Sequence, residues 1–205
     1  MNFGFAIEFF RNSRLNNIRT ENKSLKESLT EATMDIRIRR FEESDIPFGM
    51  RLKGVAGWNQ TPEDWRRFLK FCPEGCFIAE VEGRPVATGT VSPYGNRFGW
   101  IGMILVLPEF RRRGIGTSML KHAIRWLEER GVSAVRLDAT PLGKKLYDTL
   151  SFKVEYELVR VEGTAPETQG KADHMKISDL KEVSEFDAPI FGADRYSCLL
   201  YTSPS

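Results

Sequence analysis

The chain has 205 residues, of which 41% are hydrophobic and 28% are charged, and this composition suits one medium-sized globular domain with extensions. The net charge of +2, with a basic patch limited to residues 111–113, argues against a nucleic-acid-binding surface. The chain has three cysteines, and beside Cys72 and Cys76 there is no second pair, so we predict neither disulfides nor a metal site. No apolar run reaches the roughly 18 residues of a membrane span. We therefore predict a cytoplasmic protein without membrane contact.

Residues 1–33 differ in composition from the rest of the chain. Residues 1–10 are rich in aromatic side chains, but they include Glu8 and lack the basic start and the cleavage site of a secretory signal. Residues 12–33 are rich in Asn, Ser, Lys and Glu. We therefore predict that residues 1–33 are a disordered extension or a mis-assigned start, with translation beginning at Met34.

A half-buried strand is predicted next, because residues 36–41 alternate apolar side chains with arginines. Two helices follow it. The first is predicted at about residues 43–55. The second starts at Thr61, where a hydroxyl cap is followed by Pro62 and by an acid three residues after the cap.

The central part of the chain predicts an antiparallel meander followed by alternating helices and strands. Apolar residues recur at three- and four-residue steps between Ile115 and Leu127, which is typical of a helix with one buried face, and Gly131 suits its C-terminal end. The predicted strands cover residues 75–81, 86–91, 98–106, 134–139 and 153–161, and the predicted helices cover residues 115–130 and 140–150.

The loop at residues 108–117 joins a strand to a helix and is rich in hydrogen-bond donors. Its glycines, Gly114 and Gly116, fall in the first turn of the helix, where unpaired N–H groups and the helix dipole attract anions. Glycine also lets phosphate oxygens approach the backbone closely. The loop is therefore predicted to bind a diphosphate, although a plain turn with solvated arginines would have the same composition.

Two common nucleotide-binding motifs do not fit this loop. A dinucleotide fingerprint requires a third glycine where Met119 stands, and a P-loop requires a Gly-Lys-Ser/Thr string that does not occur. The pattern R/Q-x-x-G-x-G/A is met by Arg111, Gly114 and Gly116. At these positions the chain resembles the GNAT family of acyl-CoA N-acyltransferases, in which the loop holds the diphosphate of coenzyme A.

A second string, 36 residues after Arg111, is similar to the L-Y-x-x-L-G-F motif of the same family. Its residues are Leu146, Tyr147, Leu150, Ser151 and Phe152. The resemblance implies that Tyr147 faces the thioester sulfur and acts as general acid, whereas a tyrosine among leucines would otherwise serve for packing. The string departs from the motif at Ser151, where glycine is usual. Thr140 and Pro141 stand where many relatives have an asparagine that contacts the cofactor.

The resemblance implies an α/β (α+β) fold with a central mixed, mostly antiparallel sheet flanked by helices. The strands at 98–106 and 134–139 are expected to splay apart at a bulge, to which Gly102 would contribute. Amides freed at the bulge would bind and polarise acetyl-CoA, the expected co-substrate. The residues expected to hold it are Ile104, Leu105, Val106, Arg111, Arg112, Arg113, Gly114, Ile115, Gly116 and Thr117.

The general base is harder to identify, because the strand at 98–106 lacks the acid that many relatives use. Asp138, near the end of the strand at 134–139, is the preferred candidate and Glu80 the second. Both also suit a solvated position on an alternating strand. A chain of waters that leads to bulk solvent is the remaining alternative.

The connection between the first two helices usually lines the acceptor pocket in this family. Trp58, Asn59 and Gln60 offer one flat apolar surface and two amides, which suit a small polar amine or an amino acid. A helix connection with a packed tryptophan explains the same residues. The predicted activity is transfer of the acetyl group of acetyl-CoA to a primary amine by direct attack. The alternative is a non-catalytic acyl-CoA-binding regulatory module.

Three strings, G-W-N-Q-T, L-D-A-T-P-x-G-x-x-L-Y and F-G-A-D-R, resemble a two-domain subgroup of the family with a second GNAT-like domain. We expect the acetyltransferase domain at residues 34–163, a linker at 164–176 and the start of a truncated second domain at 177–196. Residues 197–205 are unlike the family and are expected to be a non-native tail.

Overall fold

The computed structural model describes residues 5–12, 34–159 and 175–202. The strands in these ranges are β1 (Phe5–Asn12), β2 (Ile36–Arg40), β3 (Cys76–Val81), β4 (Arg84–Tyr94), β5 (Phe98–Val106), β6 (Ala134–Ala139) and β7 (Lys153–Val159). The helices are α1 (Ile46–Val55), α2 (Pro62–Phe71), α3 (Ile115–Glu128), α4 (Pro141–Thr149), α5 (Leu180–Phe191) and α6 (Tyr196–Thr202).

The seven strands form one mixed sheet in the order β2-β3-β4-β5-β6-β1-β7. Among them β5 and β6 run parallel, and every other neighbouring pair runs antiparallel. The predicted fold class is thus confirmed, and the strands and helices predicted between residues 36 and 159 are present. The predicted extension of the last strand to Val161 lies outside the described residues.

The strand β1 contradicts one of the two predictions made for residues 1–33. Phe5–Asn12 is not disordered but lies between β6 and β7 and pairs with both. Both partners lie far along the chain, and local composition cannot reveal a strand whose stability comes from distant neighbours. The start of translation at Met34 remains a prediction.

Helices cover both faces of the sheet, and strand alternation divides the core between them. On β3, Phe77 and Ala79 belong to the cluster under α3 and α4, whereas Ile78 belongs to the cluster under α1 and α2. In the second cluster, Trp65 stacks on Phe41 with ring centres 4.9 Å apart. The two clusters hold the sheet between layers of helices and so fix the edges that carry the candidate site.

The C-terminal segment packs on the face that carries α1 and α2. Phe191, the last residue of α5, contacts Tyr94 and Phe98 with ring centres 4.9 and 5.4 Å apart.

Most of the predicted linker lies outside the described residues, and a second domain at 177–196 remains a prediction. Ser197, at the start of the predicted tail, lies within α6. In the described ranges no helix combines the length and the apolar character that a membrane crossing requires.

Candidate active site

The neighbouring strands β5 and β6 separate part-way along their length. Their pairing is limited to Gly99, Trp100 and Ile101 on β5, opposite residues 135–137 of β6. Beyond this point β5 continues to Val106 and β6 to Ala139. The two strand ends therefore diverge and leave a gap, as predicted.

A β-bulge in β5 lies at the start of this gap. The register with β4 shifts between Thr88 and Thr90, and Met103 has a positive φ of 53°. The bulge also reverses the alternation of side chains between the two faces of β5. Ile101 and Ile104 are three residues apart and would face opposite sides of a regular strand, yet both contact the cluster under α3. It follows directly after Gly102, the residue that sequence reasoning associated with the bend.

Two residues of β4 that sequence reasoning missed fix the bulge. The Thr88 hydroxyl, which is fully buried, donates a hydrogen bond of 3.0 Å to the Met103 carbonyl oxygen. Gly89 lies opposite the bulge, and a Cβ atom there would come within 2.8 Å of Ile104 Cδ1. A glycine inside the apolar run of β4 was the available signal, since such a glycine often marks a bulge or a close approach.

The alternation of main-chain groups indicates which amides of β5 face the gap. Just after β5, the N–H of Leu107 donates to the Val86 carbonyl oxygen at 2.9 Å. In an antiparallel pair, the N–H groups of successive residues point to opposite sides of the strand. The N–H group of Val106 therefore points away from β4 toward the gap, whereas that of Leu105 points toward β4.

The loop between β5 and α3 provides a group of main-chain donors next to this gap. Gly114 precedes the first residue of α3 with a φ of 81°, a left-handed conformation that favours glycine. Ser118 N donates to the Gly114 carbonyl oxygen at 2.9 Å and begins the helical ladder. The N–H groups of Ile115, Gly116 and Thr117 lie in the first turn, which an α-helix leaves without internal partners.

The arginines of the loop differ in their contacts. The Nε of Arg111 donates to the Val106 carbonyl oxygen at 3.0 Å, so this side chain ties the loop to the end of β5. The Arg113 guanidinium lies 5.6 Å from the centre of the Phe110 ring. Arg111, Arg112 and Arg113 are all exposed, so they surround the helix end with positive charge.

Tyr147 lies on α4 beside the same helix end. Its side chain is 8% exposed and packs edge-to-face on Phe152, with ring centres 6.0 Å apart. Gly143 makes room for it, since a Cβ atom there would lie 3.4 Å from the Tyr147 hydroxyl oxygen. Burial, reinforced by the negative charge of Asp138, raises the pKa of Tyr147 to about 12. The hydroxyl therefore keeps its proton at neutral pH.

Asp138 is the residue before the last in β6, and its carboxylate is solvent-accessible. Its neighbours Leu137 and Ala139 face the cluster that contains Tyr147, so Asp138 projects from the opposite face of the sheet. Partial desolvation by its surroundings raises the pKa of Asp138. The charge of Asp138, on β6, contributes to the raised pKa of Tyr147 on α4.

Glu80, the second candidate for the base, has a different environment. It accepts a hydrogen bond of 2.7 Å from Arg39 Nε, and Arg39 also binds Asp45. This ion-pair network lies on β2 and β3, on the far side of β4 from the gap. This ion pairing gives Glu80 a structural role, and Asp138 remains the better candidate for the general base.

The predicted acceptor residues lie on the α1–α2 face of the sheet. Trp58 is half-buried and packs against the cluster that contains Met103 and Leu105, which places it on the bulge side. Asn59 is exposed. The Gln60 side-chain oxygen is buried and has no hydrogen-bond partner among the described residues. The described contacts join Trp58 to the bulge, but they join none of the three residues to Asp138 or Tyr147.

The chemistry of these groups suits an acylated carrier with a diphosphate. The diphosphate would meet main-chain N–H groups and arginines at the start of α3, and a thioester carbonyl would meet strand amides in the gap. Among residues 34–159 and 175–202, no three His, Cys, Asp or Glu side chains are grouped closely enough to hold a metal ion.

The model of the acetyltransferase (GNAT) family matches residues 34–151, the range that contains β2 to α4, the diphosphate loop and the second motif up to Ser151. The chain belongs to this family. The match includes the loop before α3 and the gap between β5 and β6, so the GNAT assignment agrees with the geometry of the site.

Individual relatives are more distant and longer. The chain is 28% identical over 145 residues to a holothin acyltransferase of Pseudoalteromonas sp. (strain SANK 73390), covering 69% of this chain and 48% of that protein. It is 33% identical over 103 residues to human N-alpha-acetyltransferase 30, covering 47% of this chain and 28% of that protein. The chain thus spans about half or less of these curated relatives.

A solved structure shares the fold over most of the chain. The crystal structure of a putative acetyltransferase from Pyrococcus horikoshii superposes with a TM-score of 0.65 and 26% sequence identity. The superposition covers 85% of this chain and 63% of the other.

Proposed function

We propose that this protein is an acetyl-CoA-dependent N-acetyltransferase that acts on the primary amine of a small molecule or amino acid. The observation that carries the proposal is the gap between β5 and β6, which is followed along the chain by the first turn of α3. Membership of the GNAT family supports acyl transfer. Cys72, Cys76 and Cys198 form no disulfide, which supports the cytoplasmic location that we propose with it.

In this mechanism the residues of the gap bind acetyl-CoA, polarise its thioester carbonyl and transfer protons. Acetyl-CoA supplies the acetyl group as a thioester. The N–H group of Val106 stabilises the oxyanion that forms when the amine nitrogen attacks the carbonyl carbon. As the C–N bond forms and the C–S bond breaks, Tyr147 gives its proton to the departing thiolate. Asp138 takes the proton that the amine loses, and solvent restores the Tyr147 proton.

A second acceptor class is a protein N-terminus. Human N-alpha-acetyltransferase 30, as its name states, acts on alpha-amino groups, and it is 33% identical to this chain over 103 residues. Trp58 packs on the face of the sheet that carries α1 and α2, and we propose that either kind of amine approaches from this face. A screen that combines amino acids, small amines and peptides with free N-termini, with thiol release from acetyl-CoA as the signal, distinguishes the two classes.

Tyr147→Phe tests the mechanism. Because the variant keeps the ring and removes the proton, kcat should fall by about 10²-fold or more, while the Kd for coenzyme A changes less than about threefold. Tyr156→Phe, at an exposed tyrosine on β7, is the matched control and should keep full activity. If Tyr147→Phe retains turnover, the general-acid role is wrong. If wild-type protein binds acetyl-CoA but releases no thiol with any amine, the alternative of a non-catalytic binding module replaces the proposal.

Asp138→Asn tests the base. Because the base must be deprotonated and its pKa is raised, the rate of the wild-type enzyme should fall as the pH falls through the pKa of Asp138. The variant should lose this acidic limb of the pH profile along with most of its kcat. An unchanged profile would favour proton release through water.

A further inference from the structure

The strand β1 is the only described neighbour of β6 at the end that carries Asp138. The pairing of β6 with β5 ends at Leu137, where the gap opens. Its pairing with β1 continues past that point, with Glu8 opposite Asp138 and Ile7 opposite Ala139. Among the described strands, β1 is therefore the one that pairs with the tip of β6.

The same strand lies beneath the helix that carries Tyr147. Because β1 is antiparallel to both β6 and β7, these two strands run parallel, with β1 between them. Strands lie about 4.8 Å apart in a sheet, so β1 separates β6 from β7 by roughly 10 Å. The helix α4 connects β6 to β7 across this span and contacts both β1 and β6. The positions of Asp138 and Tyr147 thus both depend on β1.

The strand is also an addition to the family domain. The family match begins at residue 34, whereas β1 ends at Asn12. The connecting residues 13–35 are mainly polar and long enough to let β1 reach its place from outside the domain.

We propose that β1 is a positioning strand of the active site, which sets β6 and α4 so that Asp138 and Tyr147 face the gap, and that a separate peptide can take its place. This inference rests on the proposed function for the roles of the two side chains. It predicts that loss of β1 reduces the chemical step and leaves coenzyme A binding intact, because the diphosphate loop is built on β5 and α3.

Ile7→Pro in the full chain tests the proposal. Every interior N–H of a strand with neighbours on both sides faces one of them, so proline at residue 7 removes a ladder hydrogen bond and disrupts the strand. Ser24→Pro, which introduces a proline into the connection between β1 and β2, is the control. In the Ile7→Pro variant, peptide amides in β6 and β7 should exchange hydrogen at least about tenfold faster, kcat should fall at least about tenfold, and the Kd for coenzyme A should change less than about threefold.

Rescue separates positioning from general damage. A synthetic peptide of residues 1–12, added to the Ile7→Pro variant, should restore both slow exchange in β6 and kcat. Three results would each overturn the proposal. The first is unchanged hydrogen exchange in β6, and the second is an unchanged kcat in a variant whose β6 exchanges faster. The third is failure of the peptide to restore slow exchange. If the wild-type chain acetylates no amine, the proposed function fails. The exchange and peptide-binding measurements then decide by themselves whether β1 holds β6.

Discussion

At the scale of single residues, the two glycines of the diphosphate loop have different roles. Gly114 has a φ of 81°, and Gly116 lies within α3, where an added Cβ atom would make an ordinary contact of 3.5 Å with Leu146 Cδ2. A left-handed conformation costs a residue other than glycine about 1–2 kcal/mol. The conformation of the loop thus depends on Gly114, and Gly116 has room for alanine.

Gly114→Ala should therefore weaken coenzyme A binding by roughly tenfold, as the loop adjusts its backbone to relieve strain. The matched variant, Gly116→Ala, should bind within about threefold of wild type. Calorimetric titration of both variants with coenzyme A measures the difference. Equal affinities for the two variants would show that the left-handed conformation of Gly114 does not shape the site.

The buried hydroxyl of Thr88 supports the bulge by its bond to the Met103 carbonyl oxygen. Thr88→Val keeps the shape of the side chain but leaves that oxygen without its partner, at a cost of about 1–3 kcal/mol. The melting temperature should fall, and kcat should fall with it, since the strand amides of the gap follow the bulge. Thr90→Val, at the neighbouring buried threonine, is the control. Similar effects of the two substitutions would contradict a special role for Thr88.

At the scale of elements, Asp45 joins the end of β2 to the start of α1. Its carboxylate accepts hydrogen bonds from Arg39 Nη1 at 2.7 Å and from the Glu42 N–H at 2.9 Å. Burial acts to raise the pKa of Asp45, but these bonds lower it below the usual value of 3.8. A folded-state pKa below the unfolded one stabilises the protein above the unfolded pKa, and the stabilisation is lost as the pH falls through the folded pKa.

Asp45→Asn should lower the free energy of unfolding by about 2 kcal/mol at pH 7. The difference from wild type should shrink as the pH falls below the usual value of 3.8 and through the lowered pKa of the folded state, because the wild-type carboxylate is then protonated in both states. Urea unfolding at pH 7 and pH 3 measures both values. Glu43→Gln, at an exposed neighbouring acid, should change stability by less than about 0.5 kcal/mol. A loss that is the same at both pH values would contradict the ion-pair explanation.

The last residue of the helix α5 packs against aromatic residues of the sheet. Phe191 packs among Tyr94, Phe98 and Trp100, whereas Phe186 on the same helix is 72% exposed. Phe191→Ala should destabilise the protein by about 2–3 kcal/mol, and Phe186→Ala by less than about 0.5 kcal/mol. Thermal unfolding of the two variants provides the comparison. Equal effects would mean that α5 does not contribute to the stability of the sheet.

At the scale of the whole molecule, the features with local signals were predictable. The apolar stripe of α3, the Thr61 cap of α2 and the alternation in β2 depend on neighbouring residues, and all three elements are present. The diphosphate loop was recognisable because its glycines must follow one another at a fixed spacing along the chain. The pairing of β5 with β6 followed from the family resemblance.

Features that depend on distant partners were not predictable. Composition suggested disorder before Met34, but β1 is stabilised by pairing with β6 and β7. The role of Thr88 depends on a carbonyl 15 residues away that only the bulge brings within reach. Glu80 looked like a solvated strand acid, and its ion pair with Arg39 joins two strands. The roles of Tyr147 and Asp138 in catalysis remain predictions.

The central claim is that main-chain amides at the start of α3 bind the diphosphate of an acyl carrier. Calorimetric titration of folded protein with coenzyme A, with pantetheine, which has the same arm but neither the diphosphate nor the nucleoside, and with adenosine 3′-phosphate, which has the nucleoside without the diphosphate, tests it. The account predicts that coenzyme A binds roughly 100-fold more tightly than either fragment, because the charged oxygens make strong hydrogen bonds at the helix end. Equal affinity for coenzyme A and either fragment, or no binding of coenzyme A, would contradict it.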